Sequence, residues 1–323
     1  MDSSTNDVAH DFSPYFRVHK DGSIERFHAP QFAPPSDDPI TGIRSKDVVI
    51  SPETGIYVRL FLPKITDPTR KLPLLLHIHG GAFCVGSPSN PTFHNFLSSL
   101  AAESNAVVVS VDYRLAPEHP LPIAYDDSWT AFQWVISHAQ GTGPEPWLND
   151  HADFQRLFLG GESAGANIAN DVAIRAGVTY FEKDGTVDES PTTLKSGQIY
   201  AVSCKIVGLL LVHPYFGGKE VDNLYKFLCP NSSGQHDDPR LNPAIDPRLS
   251  SLSCEKVLFC LAEKDRLRET GLAYYEALKK SAWGGEVEIM ETEGEGHGFH
   301  LINPTCEKVK PLMTRLASFL NGS

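Results

Sequence analysis

Short runs that are apolar at nearly every position recur along this chain, and they constrain its fold more than any other feature. LPLLLHIH (72–79), AVVVSVDY (106–113), RLFLGG (156–161), KIVGLLLVH (205–213) and KVLFCLA (256–262) are the clearest. A strand with one wet face alternates apolar and polar residues. A strand apolar throughout is covered on both faces, as in a parallel sheet between layers of helices. KDVVI (46–50), IYVRLFL (56–62) and EVEIME (286–291) read as further strands, the first two placed to form an antiparallel edge. Helical periodicity fills the gaps at 124–138, 164–176, 270–281 and 307–320. Strand followed by helix, repeated over 323 residues, predicts an α/β fold with a mostly parallel central sheet and helices on both faces.

Residues 1–44, rich in Pro, Ser and Asp, read as an N-terminal arm whose piece FSPYFRVHKDGSIERF folds onto the domain formed by 45–323. Two segments break the rhythm, 179–203 and 223–253, and the second is expected to help cover a site. A net charge of −12 without a Lys/Arg cluster argues against nucleic acid and anionic membranes as partners. The six cysteines are scattered, with no CxxC pair, and read as free thiols. The first residues contain no apolar leader and no stretch is long enough to span a bilayer, so a cytoplasmic protein is expected.

The chemistry concentrates at GESAGAN (161–167), where Ser163 lies within Gly161-x-Ser163-x-Gly165, behind a buried strand and ahead of a helix. That is the context of a nucleophile elbow. A strand turning sharply into a helix strains its turn residue, and flanking glycines remove side chains that would collide with it. The helix that follows points free N–H groups and its positive end at the serine. A serine hydroxyl needs a base, and the base a carboxylate to hold its tautomer. In the chain order of this architecture both come later, acid first. Asp265 follows the strand 256–262, and His297, between Gly296 and Gly298, follows the strand 286–291. His300 is the rival base, and Asp237, Asp238 and Asp246 are the rival acids, held by no strand. The loop His79-Gly80-Gly81-Ala82-Phe83 is nearly bare of side chains, so its amides can approach a substrate oxygen. Gly81 and Ala82 are the expected oxyanion donors, with the N–H of Ala164 as the third, and Gly80 shapes the loop.

Plainer roles suit other residues. Arg114 and Glu118 are candidate partners in a buried ion pair, and Asp126 or Asp127 stands near a helix start. Trp129, Trp134 and Trp147 fit core packing. His77 reads as a satisfied core histidine, because no metal-ligand spacing surrounds it.

Taken with DGSIERF, LPLLLHIHGGAFCVGS, VVVSVDYRLAPEHPLP, HADFQRLFLGGESAGANIA, DDPRLNP, AEKDRLRETG and GHGFHL, the chain resembles the plant carboxylesterase family of the hormone-sensitive-lipase group of α/β-hydrolases. The resemblance implies Ser163 as nucleophile, Asp265 as acid, His297 as base and the HGG loop as oxyanion hole. It also implies an N-terminal arm capping the pocket, and hydrolysis of small apolar or aromatic metabolite esters without cofactor or metal. Related families imply alternatives: the 2-hydroxyisoflavanone dehydratases and some alkaloid-forming enzymes a lyase, and the gibberellin receptors, which lack the catalytic histidine, a binding protein. Three departures stand out: Ala82 in place of a third glycine, a longer stretch between Gly177 and Lys205, and a shorter one between Gly218 and Leu224.

Overall fold

The computed structural model describes residues 7–27, 29–181 and 206–322. Three short strands, β1 (Val8–Phe12), β2 (Phe16–His19) and β3 (Ile24–Arg26), form a small antiparallel sheet of their own. The central sheet contains β4 (Arg44–Ser51), β5 (Ile56–Leu62), β6 (Leu72–Ile78), β7 (Val107–Asp112), β8 (Ala152–Glu162), β9 (Ile206–Val212), β10 (Lys256–Ala262) and β11 (Glu286–Thr292). Their order is β11-β10-β9-β8-β6-β7-β5-β4, and β5 alone runs opposite to the rest of the sheet. The mostly parallel sheet with an antiparallel pair at one edge agrees with the sequence pattern.

Alternate residues of each apolar run serve two different cores, which is why the runs are apolar throughout. Leu74, Leu76, Val107, Val109, Leu157, Leu159, Leu209, Leu211, Val257 and Phe259 face a large core that also takes in side chains of α2 (Ile123–Ile136), α4 (Ala164–Phe181) and α6 (Arg268–Lys280). Leu75, Val108, Phe158, Leu210 and Leu258 face the opposite way, against α1 (Pro91–Ser104) and α8 (Val309–Asn321). Three shorter helices complete the described chain: α3 (Pro146–His151), α5 (Asn223–Leu228) and α7 (Phe299–Ile302).

Sequence periodicity missed α1 and the N-terminal sheet. In α1 the buried face includes His94 and Ser104 beside Phe93, Phe96, Leu97 and Leu100, which blurs the apolar stripe. Its start is nonetheless written in the chain: Pro91 occupies the first turn, and the Asn90 side chain accepts from the Thr92 N–H. Of the two irregular segments, 223–253 carries α5 and two 3₁₀ turns, at Pro243–Ile245 and Leu249–Ser251. Most of 179–203, and with it most of the stretch expected to be longer than usual, lies outside the described residues. Cys204 does too, and the other five cysteines are free thiols.

The pairing expected between Arg114 and Glu118 does not form. Arg114 donates through Nε and Nη2 to both oxygens of buried Asp127, at 2.9 and 2.7 Å, and Glu118 binds Arg26 instead. Both arginines gain a planar two-oxygen partner this way, which a single shared contact would not provide. Trp129 is buried, and Trp134 and Trp147 pack at the margin of the same core.

The N-terminal sheet is anchored by Phe16, which is fully buried in the large core. Its ring lies 5.2 Å from that of Phe12 and 6.1 Å from that of Phe227 in α5. Substituting Phe16→Ala should therefore cost about 3 kcal/mol, the low end for a buried phenylalanine. Urea unfolding measures this, and a cost near that of a surface change would show the small sheet to be peripheral.

Candidate active site

The C-terminal ends of β6, β8, β10 and β11 deliver the residues of interest to one edge of the sheet. Ser163 sits in the turn between β8 and α4 with φ +53°, a left-handed conformation that is costly for a residue with a Cβ. Its peptide is held on both sides: its N–H donates to the Val212 carbonyl at 2.9 Å, and its carbonyl accepts from the Tyr215 N–H at 3.0 Å. The flanking glycines are needed, for a reason the sequence does not disclose. A Cβ at Gly165 would stand 1.9 Å from the Ile78 carbonyl oxygen, and one at Gly161 2.2 Å from the same atom. The obstacle is the end of β6, rather than the strained serine.

Three side chains from distant parts of the sequence meet here. His297 donates from Nδ1 to Asp265 Oδ2 at 2.7 Å, and its Nε2 lies 2.9 Å from Ser163 Oγ, where it accepts the hydroxyl proton. The Asp265 side chain is buried while His297 is partly exposed. Burial by itself would raise the Asp265 carboxyl. The hydrogen bond and charge of His297, together with the Leu267 N–H donated to Oδ1 at 2.9 Å, outweigh burial and hold it below the usual carboxylate range.

The rivals lie elsewhere. His300 is 1 % exposed, and neither ring nitrogen finds a partner among the described residues. Its ring packs edge-on against Phe96 and beside His213, and burial pushes its pKa down to about 3. Asp238 pairs with Arg240 at 3.4 Å and Asp246 with Arg248 at 2.8 Å, while Asp237 accepts from Ser233. These carboxylates are occupied locally. His77 donates from Nε2 to Glu162 at 2.9 Å and accepts from Ser110 at Nδ1, 3.1 Å away, a fully buried and fully satisfied arrangement.

Beside the serine, the loop after β6 adopts an unusual backbone: Gly81, Ala82 and Phe83 have φ of +115°, +51° and +64°. Among the described residues no acceptor is found for the N–H groups of Gly81 and Ala82, and that of Ala164, first in α4, is free by its position. Gly80 packs under the turn, where a Cβ would meet the Glu162 carbonyl oxygen at 2.8 Å. Tyr113 Oη donates to the His79 carbonyl at 3.0 Å, and its ring stacks on His79 at 4.2 Å. Two hidden contributors escaped the sequence reading. Asn167 donates to the carbonyls of Tyr215 and Arg240 at 2.8 and 2.7 Å, tying α4 to the chain just beyond β9 and to the 223–253 segment. His213, with φ +45°, accepts the Gly298 N–H at 3.2 Å and so supports the loop that carries His297.

A cavity of ≈ 520 Å³ shares Tyr215 and Leu267 with this group, although Ser163, Asp265, His297 and the loop 80–83 are not among its lining residues. Phe12 and Tyr15 of the N-terminal sheet, Tyr215, Leu224 and Leu267 contribute apolar surface, and Lys219, Asp222 and Arg266 polar surface. Gly218–Leu224 line this cavity. Among the described residues no His/Cys/Asp/Glu cluster suits a metal, and no helix is long and apolar enough to cross a membrane.

A hydroxyl hydrogen-bonded to an imidazole that is itself fixed by a carboxylate, beside free amides at the edge of a mostly parallel sheet, is an arrangement known from hydrolases. Residues 75–301 match the alpha/beta hydrolase fold family. The chain is 42% identical to probable carboxylesterase 2 of Arabidopsis thaliana, with 99% of each chain covered. It is 40% identical to 2-hydroxyisoflavanone dehydratase of Glycyrrhiza echinata, with 98% of each covered. Among solved structures, the hyperthermophilic esterase of Pyrobaculum calidifontis superposes with a TM-score of 0.64 at 26% identity, covering 86% of this chain and 85% of that one. The chain belongs to the α/β-hydrolase family, in its plant carboxylesterase branch. It is an enzyme of the carboxylesterase class.

The buried imidazoles set a pH dependence. Burial lowers His79 to about 4 and His300 to about 3, and lowers His213 well below the ordinary 6.5. Between 6.5 and these values the unfolded chain binds protons that the folded chain refuses, so each histidine subtracts stability as pH falls. Asp112, raised by burial to about 7, acts in the opposite sense, so a difference measurement is needed. His300→Phe should gain on the parent by roughly 1 kcal/mol per pH unit below 6.5, read from urea unfolding at several pH values. A constant difference would show His300 to be protonated or hydrated in the fold.

Proposed function

We propose that this enzyme hydrolyses esters of small apolar or aromatic metabolites through an acyl-enzyme, with Ser163 as nucleophile, His297 as general base and acid, and Asp265 as the carboxylate that orients it. The observation that carries the proposal is the unbroken line Ser163 Oγ, His297 Nε2, His297 Nδ1, Asp265 Oδ2, with steps of 2.9 and 2.7 Å across the two hydrogen bonds. Oγ attacks the ester carbonyl carbon as its proton passes to Nε2. The carbonyl electron pair moves onto oxygen, where the N–H groups of Gly81, Ala82 and Ala164 receive it. Collapse of this intermediate expels the alcohol, which takes the proton from Nε2. Water, deprotonated by the same nitrogen, then releases the acid and restores Ser163. Asp265 holds the Nδ1–H tautomer and stabilises the imidazolium without itself taking the proton.

Phe12, Tyr15, Tyr215, Leu224 and Leu267 in the nearby cavity offer contact to an apolar or aromatic part of a substrate, and Asp11, Lys219, Glu220, Asp222 and Arg266 line the same cavity. Its walls include Tyr215 and Leu267, whose N–H groups donate to Ser163 and Asp265. The free thiols suit a reducing compartment, here read as the cytoplasm.

The similarity to a dehydratase supports a second reading, in which the same amides polarise a ketone and His297 removes a proton, so that water is eliminated. A receptor is disfavoured, because His297 is present and aligned. Ser163→Ala should abolish hydrolysis of p-nitrophenyl butyrate, a loss of about 10⁴-fold or more. Full activity in a preparation free of other esterases would overturn the proposal. Mass spectrometry of products separates the two readings, since elimination removes water without yielding acid and alcohol.

A further inference from the structure

Arg26, the last residue of β3, reaches out of the N-terminal sheet to the loop that follows β6. Its Nη1 donates to the Cys84 carbonyl, and Nη2 donates to the Ala116 carbonyl at 3.0 Å. Nε donates to Glu118 Oε1 at 3.0 Å, and Nη2 also binds Glu118 Oε2. One side chain thus closes contacts spanning 58 to 92 residues of sequence.

The residues it grips border the strained part of the loop. Cys84 directly follows Ala82 and Phe83, two non-glycine residues in the left-handed region. Such a conformation costs about 1–3 kcal/mol per residue and persists only where its surroundings dictate it. On the far side, the Ala116 N–H donates to the Phe83 carbonyl at 3.0 Å, so Phe83, Cys84, Arg26 and Ala116 form a closed hydrogen-bonded ring. The Cys84 and Val85 N–H groups both turn inward to the Gly81 carbonyl, at 3.0 and 2.9 Å. Gly81 and Ala82 lie between these ties.

We propose that Arg26 is a positioning residue for the oxyanion donors: through Cys84 and Ala116 it holds the left-handed backbone that aims the Gly81 and Ala82 amides at the reacting oxygen. The N-terminal sheet then acts as a strut of the catalytic machinery as well as a wall of the cavity. The inference rests on the reading of Ser163 chemistry given above. Arginine is required because a planar fork with five donors can serve two carbonyls and a carboxylate together, which an ammonium on a flexible stem does not.

The test compares full-length Arg26→Met, Arg26→Lys and Glu118→Gln with the parent on p-nitrophenyl butyrate, with the folded fraction taken from near-ultraviolet circular dichroism. Arg26→Met should lose about tenfold to a hundredfold in kcat, below the ~10²–10³ that follows outright loss of a donor, with KM changed less than about twofold. A trifluoromethyl ketone, whose serine adduct places an oxyanion at these amides, should weaken by a similar factor. Arg26→Lys and Glu118→Gln should fall between Arg26→Met and the parent. A merely structural residue would lower activity only with the folded fraction and leave ketone affinity per folded molecule intact, and that result would overturn the proposal. Retained hydrolysis in Ser163→Ala would overturn the underlying reading, and the strut with it. Abolished hydrolysis in Ser163→Ala, with kcat and ketone affinity unchanged in Arg26→Met, would overturn the strut alone.

Discussion

The close approach of the last carbonyl of β6 to the turn between β8 and α4 is the contact on which the rest of the site depends. The Ile78 oxygen occupies space that a Cβ at Gly161 or Gly165 would need. Because both are glycine, the first turn of α4 can press against the strand end, and Gly80 packs directly against Glu162 and Ser163. The backbone of the turn is then fixed by partners on β9 and just beyond it, Val212 and Tyr215. Strain at Ser163 is thereby imposed by the end of β6, by β9 and by the segment just beyond it, which is the condition under which a left-handed residue persists.

Much of this was legible in the sequence because it is carried by local pattern. Continuous apolar runs gave the parallel strands, and the position of Ser163, Asp265 and His297 just past strand ends followed from where those runs stop. The function of the glycines was legible only in kind. A pattern can show that side chains are excluded at 161 and 165, but their obstacle lies on β6, more than eighty residues earlier, and only pairing of β6 with β8 reveals it.

Buried charge was the least legible layer. Within the strand IYVRLFL, Arg59 is 0 % exposed, donating to both oxygens of Asp47 at 2.7 and 2.8 Å and to the Ala33 carbonyl at 2.7 Å. Glu162, just before Ser163, is buried and accepts from His77. Arg114 and Glu118, close in sequence, each prefer a partner elsewhere. A charged side chain can be buried only where its whole set of partners converges, so its identity at one position carries no signal of the tertiary structure that makes it tolerable.

The same division separates the two halves of the site. The floor, made of strand ends, is rigid because the sheet defines it, and the hydrogen-bond line from Ser163 to Asp265 spans only such ends. The roof is assembled from the N-terminal sheet, the Gly218–Leu224 connection and α5, none of which belongs to the central sheet. Substitutions in the roof can therefore reshape the cavity while leaving the reacting groups in place. Arg26 marks the limit of that freedom, because its side chain crosses from the N-terminal sheet to hydrogen-bond the Cys84 carbonyl of the loop after β6. Asn167 makes the corresponding link from the elbow helix to the chain just beyond β9 at Tyr215 and to the 223–253 segment at Arg240. Tyr215 and Leu267 add two backbone links, since each lines the cavity while its N–H donates to Ser163 or Asp265.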